Sequence, residues 1–183
     1  MDRKQFLSAC TGGLCACALA PVVEPAAADA PAAEDCRVPF VKQRYAKLLQ
    51  VLSDKIGEDK LVETLQELGA FCASTMDDKL AQYHGDVDGF GAFIRKVGAG
   101  DLFSWDAERN MVVATTTPRK DCICPLIGIA QKTPAVVCNC SIGWHSYAWP
   151  KLLGRKVRVT LKESVIRGGQ HCSLEIELLD QPA

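Results

Sequence analysis

The sequence predicts an α+β fold, with N-terminal helices packed on an antiparallel sheet that closes in a C-terminal β-hairpin. Three observations carry this reading. Apolar residues recur at helical spacing up to about residue 97. From Leu102 the pattern turns β-prone and later alternates. Arg167-Gly-Gly-Gln170 stands between the last two alternating runs as a hairpin turn. Helices first and strands later argue against a doubly wound parallel sheet.

Over 36–56, Val41, Tyr45, Leu48, Leu49 and Leu52 mark a first helix, and Gly57 ends it. Leu61, Val62, Leu65, Leu68, Phe71 and Cys72 line one face of a second. Ser74 and Thr75 each have an Asp three residues on, which predicts a capped start for a helix over 76–84. A short fourth helix over 87–97 carries Phe90, Phe93 and Ile94. Residues 102–106 and 111–117 read as strands joined by polar residues 107–110. Residues 142–153 read as a helix that Pro150 bends or splits. Residues 157–166 and 172–179 alternate as the closing strands, and there is no internal repeat.

A chain of 183 residues with 48% hydrophobic content suits one domain, and ten cysteines are the unusual feature. The net charge is −1, and from residue 31 onward acidic and basic residues are equal in number, so there is no electrostatic footprint for nucleic acid. Lys151, Arg155, Lys156, Arg158 and Lys162 cluster late, but Glu163 interrupts them and they read as a solvated face. Val97-Gly-Ala-Gly-Asp101 lacks the Lys-Ser/Thr of a phosphate loop, and no dinucleotide fingerprint appears. Residues 1–30 follow the order of an export signal: a charged start, a weakly apolar run and an Ala/Pro-rich small-residue zone. Arg3-Lys4-Gln5-Phe6-Leu7 resembles a twin-arginine signal with Lys4 at the second Arg. The twin-arginine export machinery is therefore an expected partner, and the expected location is periplasmic or extracytoplasmic. Leu14-Cys15-Ala16-Cys17 also passes for a lipoprotein box, which makes a lipid anchor the lesser alternative. Residues 31–35 read as linker and 36–183 as the domain. No run of about 18 apolar residues predicts a membrane span.

The chemistry concentrates in two Cys-x-Cys pairs, Cys122–Cys124 and Cys138–Cys140. On a strand, residues i and i+2 share a face, so two pairs offer four thiolates to a tetrahedral ion such as zinc. Iron–sulfur ligation fits the spacing less well. From residue 31 onward the cysteines are Cys36, Cys72, Cys122, Cys124, Cys138, Cys140 and Cys172, an odd set that full disulfide pairing leaves with one thiol over. Cys36 and Cys72 lie on helices and read as core. For the other five, metal ligation, disulfides and working thiols all stay open. A catalytic reading makes Cys140 the nucleophile with His145 or His171 as base. His84, at a helix end, reads as a surface cap. Trp144 and Tyr147 are candidates for a ligand pocket or for core.

Cys138-Asn-Cys140-Ser-Ile-Gly143, the helix that follows, Gly154-Arg-Lys-Val-Arg-Val-Thr-Leu-Lys-Glu-Ser164, Arg167-Gly168 and Cys172-Ser-Leu-Glu-Ile resemble the 4-vinyl reductase-type small-molecule-binding domain. Its bacterial 2-amino-thiazoline-4-carboxylic acid hydrolase-like relatives look closer still. Glu67-Leu-Gly-Ala-Phe-Cys72-Ala, Tyr83-His-Gly-Asp86 and Phe90 fit the same pattern, so the likeness spans about residues 36–180. The resemblance implies small-molecule binding beside a cysteine-rich, metal-bearing site, and a homodimer. In phenol-sensing regulators with this domain, cysteines and a Glu around the closing hairpin hold zinc. Cys172 matches the last of those cysteines, and Cys138 or Cys140 the first. Leu161 stands where the Glu belongs and Ser164 where a Cys belongs. With Cys122 and Cys124 filling the vacancies, the expectation is one zinc shared by both pairs and Cys172. The hydrolase-like relatives imply an alternative, in which a Cys or metal-bound water opens a small ring at a C–N or C–S bond.

Overall fold

A computed structural model describes residues 37–97, 101–106, 108–128 and 131–179. The segments read as export signal and linker, and Cys36, lie outside the described residues. Five helices and a four-stranded antiparallel sheet are present among them: α1 (Arg37–Ile56), α2 (Glu58–Ser74), α3 (Asp77–Gln82), α4 (Val87–Lys96), β1 (Asp101–Asp106), β2 (Met111–Thr116), α5 (Asn139–Leu153), β3 (Val157–Glu163) and β4 (Ser173–Leu178). The fold class is α+β, as the sequence predicts. No helix among the described residues is long and apolar enough to cross a membrane.

The sheet order is β1-β2-β4-β3. One face is apolar: Val112, Ala114, Leu174 and Ile176 are buried against Phe90 and Ile94 of α4 and Ala148, Trp149 and Leu152 of α5. Trp149 meets Phe103 edge-on at 5.1 Å between ring centroids, a favoured aromatic geometry. The other face is charged. Glu175 lies 2.8 Å from Arg109 and 3.2 Å from Lys162, and Glu177 lies 3.1 Å from Arg158. The period-2 alternation of β4, with Leu174, Ile176 and Leu178 buried, sorts these side chains between core and solvent.

Helices α2 and α5 make the largest contact in the molecule, and they run parallel. Gly69 faces the Cys140 carbonyl and the Trp144 amide, Gly143 faces the Gln66 backbone, and farther along Asp77 accepts from Tyr147 and Lys151. Leu61 and Leu65 share a cluster with Val137 and Cys138 just ahead of α5, and Ala73 shares one with Ala148 and Trp149, so the two helices run in the same direction. A Cβ on Gly69 or on Gly143 would overlap backbone of the opposite helix, so glycine is what lets the two axes approach this closely.

Several boundaries differ from those the sequence predicts. Helix α5 starts at Asn139, three residues early, and Pro150 does not split it: Pro150 lies in the last turn, and its carbonyl accepts from Gly154, whose αL backbone ends the helix. Ser74 and Thr75 do not cap α3. Their hydroxyls bond back to the Phe71 and Cys72 carbonyls and close α2 instead. The buried face of α2 is Leu61, Leu65, Gly69 and Ala73, while Phe71 is 65% exposed and Cys72 is exposed. Strand β3 ends at Glu163, because the Ser164 hydroxyl accepts from Arg167 N and caps a 3-10 turn at Val165–Arg167.

The glycine contact generates a test. Gly143→Ala should lower stability by about 1–3 kcal/mol, because the added methyl meets backbone that cannot rotate away. The exposed, positive-φ Gly57 has open space for a Cβ and provides a contrast in which any cost comes from the backbone angle alone. Urea unfolding of both variants checks this, and a Gly143→Ala protein as stable as wild type would remove the close-contact argument.

Candidate functional site

Beside the main core lies a second apolar cluster built from Leu49, Leu61, Leu65, Ile127, Val137 and Cys138. Tyr45, Leu52, Cys122, Cys124, Val136, Leu161 and Ile166 pack against it. It is enclosed by α1, α2, the 121–138 segment and the turn after β3. That segment is fastened at several points: Lys42 to Asp121 at 3.1 Å, Ile127 N to Cys124 O, and Thr133 Oγ1 to Gly128 O at 2.9 Å. Three of the cluster's members are cysteines: Cys122, Cys124 and Cys138.

The two Cys-x-Cys pairs do not present their sulfurs as a strand would. Cys138 closes a 3-10 turn (Ala135–Cys138) and Cys140 is the second residue of α5. On helical backbone, residues i and i+2 point about 200° apart. Cys138 is buried with its Sγ 3.0 Å from Ser164 Oγ, whereas the nearest thiol influence on Cys140 comes from Cys72 of α2. Cys122 and Cys124 lie in loop between these directions. Cys122 is coupled to Cys124, Cys172 and Cys138, and Cys140 to Cys72, Cys124 and Cys122. The five cysteines singled out by sequence are therefore neighbours, with Cys72 as a sixth that the helical pattern had assigned to the core. No disulfide joins these six to one another in this structure. Among the described residues, no three His, Cys, Asp or Glu side chains close on a point with metal-binding geometry. The donor chemistry suits a soft ion, but the arrangement does not converge on one.

Burial governs the titration of the site. It pushes the Cys140 thiol up to about 12, with the charges of Cys72, Cys124 and Cys122 adding to it. Burial likewise raises Cys122 to about 11, although the Cys124 backbone N–H partly offsets the effect. Tyr45 is raised to about 12 by burial and then by Cys140, Cys124 and Cys72. These groups are neutral near pH 7.

The predicted catalytic histidines have partners other than the sulfurs. His145 is 5% exposed and stacks on Trp149, and its Nδ1 accepts the Trp149 Nε1–H at 2.8 Å. Burial lowers it to about 4, so it is a neutral part of the core. His171 lies at the surface with Nδ1 3.5 Å from Glu163 Oε1. Trp144 packs edge-on to His145, the Tyr147 hydroxyl donates to Asp77, and both side chains pack against the main core. His84 is exposed with its ring against Gly154. Two open clefts, about 410 Å³ along Gln43, Lys47 and Gln131 and about 560 Å³ at Asp77, His84 and Lys151, lie away from the pairs. Tyr45 escaped the sequence reading as a site residue, and Ser164 entered it only as the position where the resemblance expects a Cys. Tyr45 looks like one more apolar helix position, and nothing local to Ser164 announces Cys138.

No family model matches the chain, and no curated protein matches it. Among solved structures it is similar to the phenol-responsive sensory domain of the transcription activator PoxR with phenol, at TM-score 0.53 and 13% identity over 75% of this chain and 74% of that one. It also aligns with a trafficking protein particle complex subunit 3 from Naegleria fowleri covalently bound to palmitic acid, at TM-score 0.46 and 13% identity over 78% of this chain and 97% of that one. The first likeness establishes the fold, and the second is too loose to carry an argument.

Two measurements follow from the titration. Above about pH 6.5 His145 is neutral both folded and unfolded and contributes nothing. As pH falls from 6.5 to 4, only the unfolded state takes the proton, so stability drops by about 3 kcal/mol. Urea unfolding at several pH values should show this slope in wild type and a flatter one in His145→Gln, and equal slopes would contradict it. Iodoacetamide at pH 8 should label exposed Cys72 well before Cys140 and Cys122, whose thiolate fractions are minute. Peptide mapping that finds Cys140 labelled first would refute the burial argument.

Proposed function

We propose that this domain binds a small, largely apolar molecule at the cysteine-lined cluster between α1, α2 and the 121–138 segment, as a 4-vinyl reductase-type domain does. The carrying observation is that a second apolar cluster, distinct from the main core, includes Cys122, Cys124, Cys138 and Tyr45, with burial holding Cys122 and Tyr45 in their neutral forms. Such a wall suits an apolar ligand with one or two polar atoms. The fold shared with a phenol-responsive sensory domain supports the reading. The export signal read from the sequence would place this binding outside the cytoplasm.

The hydrolase alternative gains no support. Cys140 stays protonated near neutral pH, His145 has its Nδ1 occupied by Trp149, and neither forms a nucleophile–base pair. No step is assigned to zinc, because the sulfurs do not converge.

Phenol serves as the probe. Calorimetric titration should show binding that also slows iodoacetamide labelling of Cys124 and Cys140, and Tyr45→Ala should weaken it by about tenfold. Absence of both heat and protection would sink the proposal. Elemental analysis of protein purified without reductant separates the remaining reading: about one zinc per chain would make the cysteines ligands instead of a pocket wall.

A further inference from the structure

One charged side chain with two buried nitrogens belongs to no interaction described so far. Arg119 lies between the end of β2 and Asp121, and its main-chain N–H donates to Gln170 O at 3.1 Å. Its Nε and Nη1 are shut off from solvent, and no acceptor among the described residues reaches either. The carboxylates on neighbouring segments are engaged elsewhere. Asp121 accepts from Lys42 and from Cys122 N, and Glu163 accepts from Gln170 N and faces His171. A guanidinium holds its charge at any ordinary pH and carries five donors and no acceptor. Buried donors in folded proteins are almost always satisfied, so an unpartnered pair on a full positive charge marks a place where an anion is missing.

We propose that Arg119 anchors a binding site for a small oxyanion. The site borders the cysteine-lined cluster. Cys122 follows Arg119 by three residues, and Cys172 follows its partner Gln170 by two. The Cys172 amide is fixed on Thr116 Oγ1 at 3.0 Å, while Thr116 N bonds Cys172 O. These bonds extend the β2–β4 ladder to Arg119 and hold its backbone in place. The oxyanion is either a free inorganic ion or the carboxylate head of an organic ligand whose apolar body occupies the cluster. The second form rests on the small-molecule reading above.

The test uses the full chain with sulfate and benzoate as anionic probes and phenol as the neutral one, followed by calorimetry and thermal melting at matched ionic strength. Sulfate or benzoate should raise the melting temperature of wild type, and Arg119→Gln should weaken that binding by about tenfold or more while phenol binding is unchanged. Arg119→Lys, which keeps the charge, should retain part of the affinity and covers the case in which Arg119→Gln does not fold. Benzoate that competes with sulfate and also protects Cys140 from alkylation identifies an organic acid, whereas sulfate binding alone identifies an inorganic ion. Arg119→Gln binding both anions as wild type does would overturn the proposal. So would wild type binding phenol but neither anion, and that result leaves the small-molecule reading standing. If wild type binds none of the three, both readings fall.

Discussion

The close parallel approach of α2 and α5 is the contact on which the rest of this structure depends. It is made through glycine: Gly69 against the backbone of Cys140 and Trp144, and Gly143 against that of Gln66. Because the helices run side by side in one direction, each end of the contact starts a different assembly. At the early end, Leu61 and Leu65 meet Val137 and Cys138 and form the second apolar cluster. In the middle, Ala73 joins Ala148 and Trp149 over the sheet. At the late end, Asp77 receives Tyr147 and Lys151. Bulkier residues at Gly69 and Gly143 would separate the axes and loosen both clusters together.

The same geometry explains the form of the cysteine site. Two sulfurs that a strand would aim together are divided by a helix start. Cys138 goes to Ser164 and the turn after β3, and Cys140 goes to α2 and Tyr45. The loop thiols Cys122 and Cys124 sit between them, so the result is a wall of sulfur instead of a knot. Burial keeps Cys122, Cys140 and Tyr45 uncharged, which favours contact with an apolar body over nucleophilic attack at these groups. The exposed ion pairs on the far face of the sheet, around Glu175 and Glu177, add little stability and mainly mark that face as solvent-facing.

Much of the architecture was legible locally. The helix over 37–56 follows from the spacing of Tyr45, Leu49 and Leu52, and Gly57 ends it with φ 83°. The closing strands follow from strict alternation, and the tail of β4 obeys it residue by residue. Misreadings fell where a side chain had two local options. Ser74 and Thr75 could cap the helix ahead or close the helix behind, and the sequence motif is the same for both. Cys72 was assigned to the core because it lies near the right phase. The buried stripe of α2 is instead centred on Gly69, whose lack of a side chain hid it from any count of apolar residues.

The sequence by itself determined the order and kind of the elements, because periodicity and turn chemistry act between residues a few positions apart. It also marked the cysteines as the residues with chemistry to examine. Only the tertiary structure decided which way each sulfur points, that Tyr45 stands among them and Ser164 bonds Cys138, that His145 belongs to the core, and that two Arg119 nitrogens are buried without a partner among the described residues. Those outcomes depend on which segments, dozens of residues apart, are pressed together. At Gly69 and Gly143 the deciding feature was the absence of a side chain, whose consequence shows only when the opposing helix is in place.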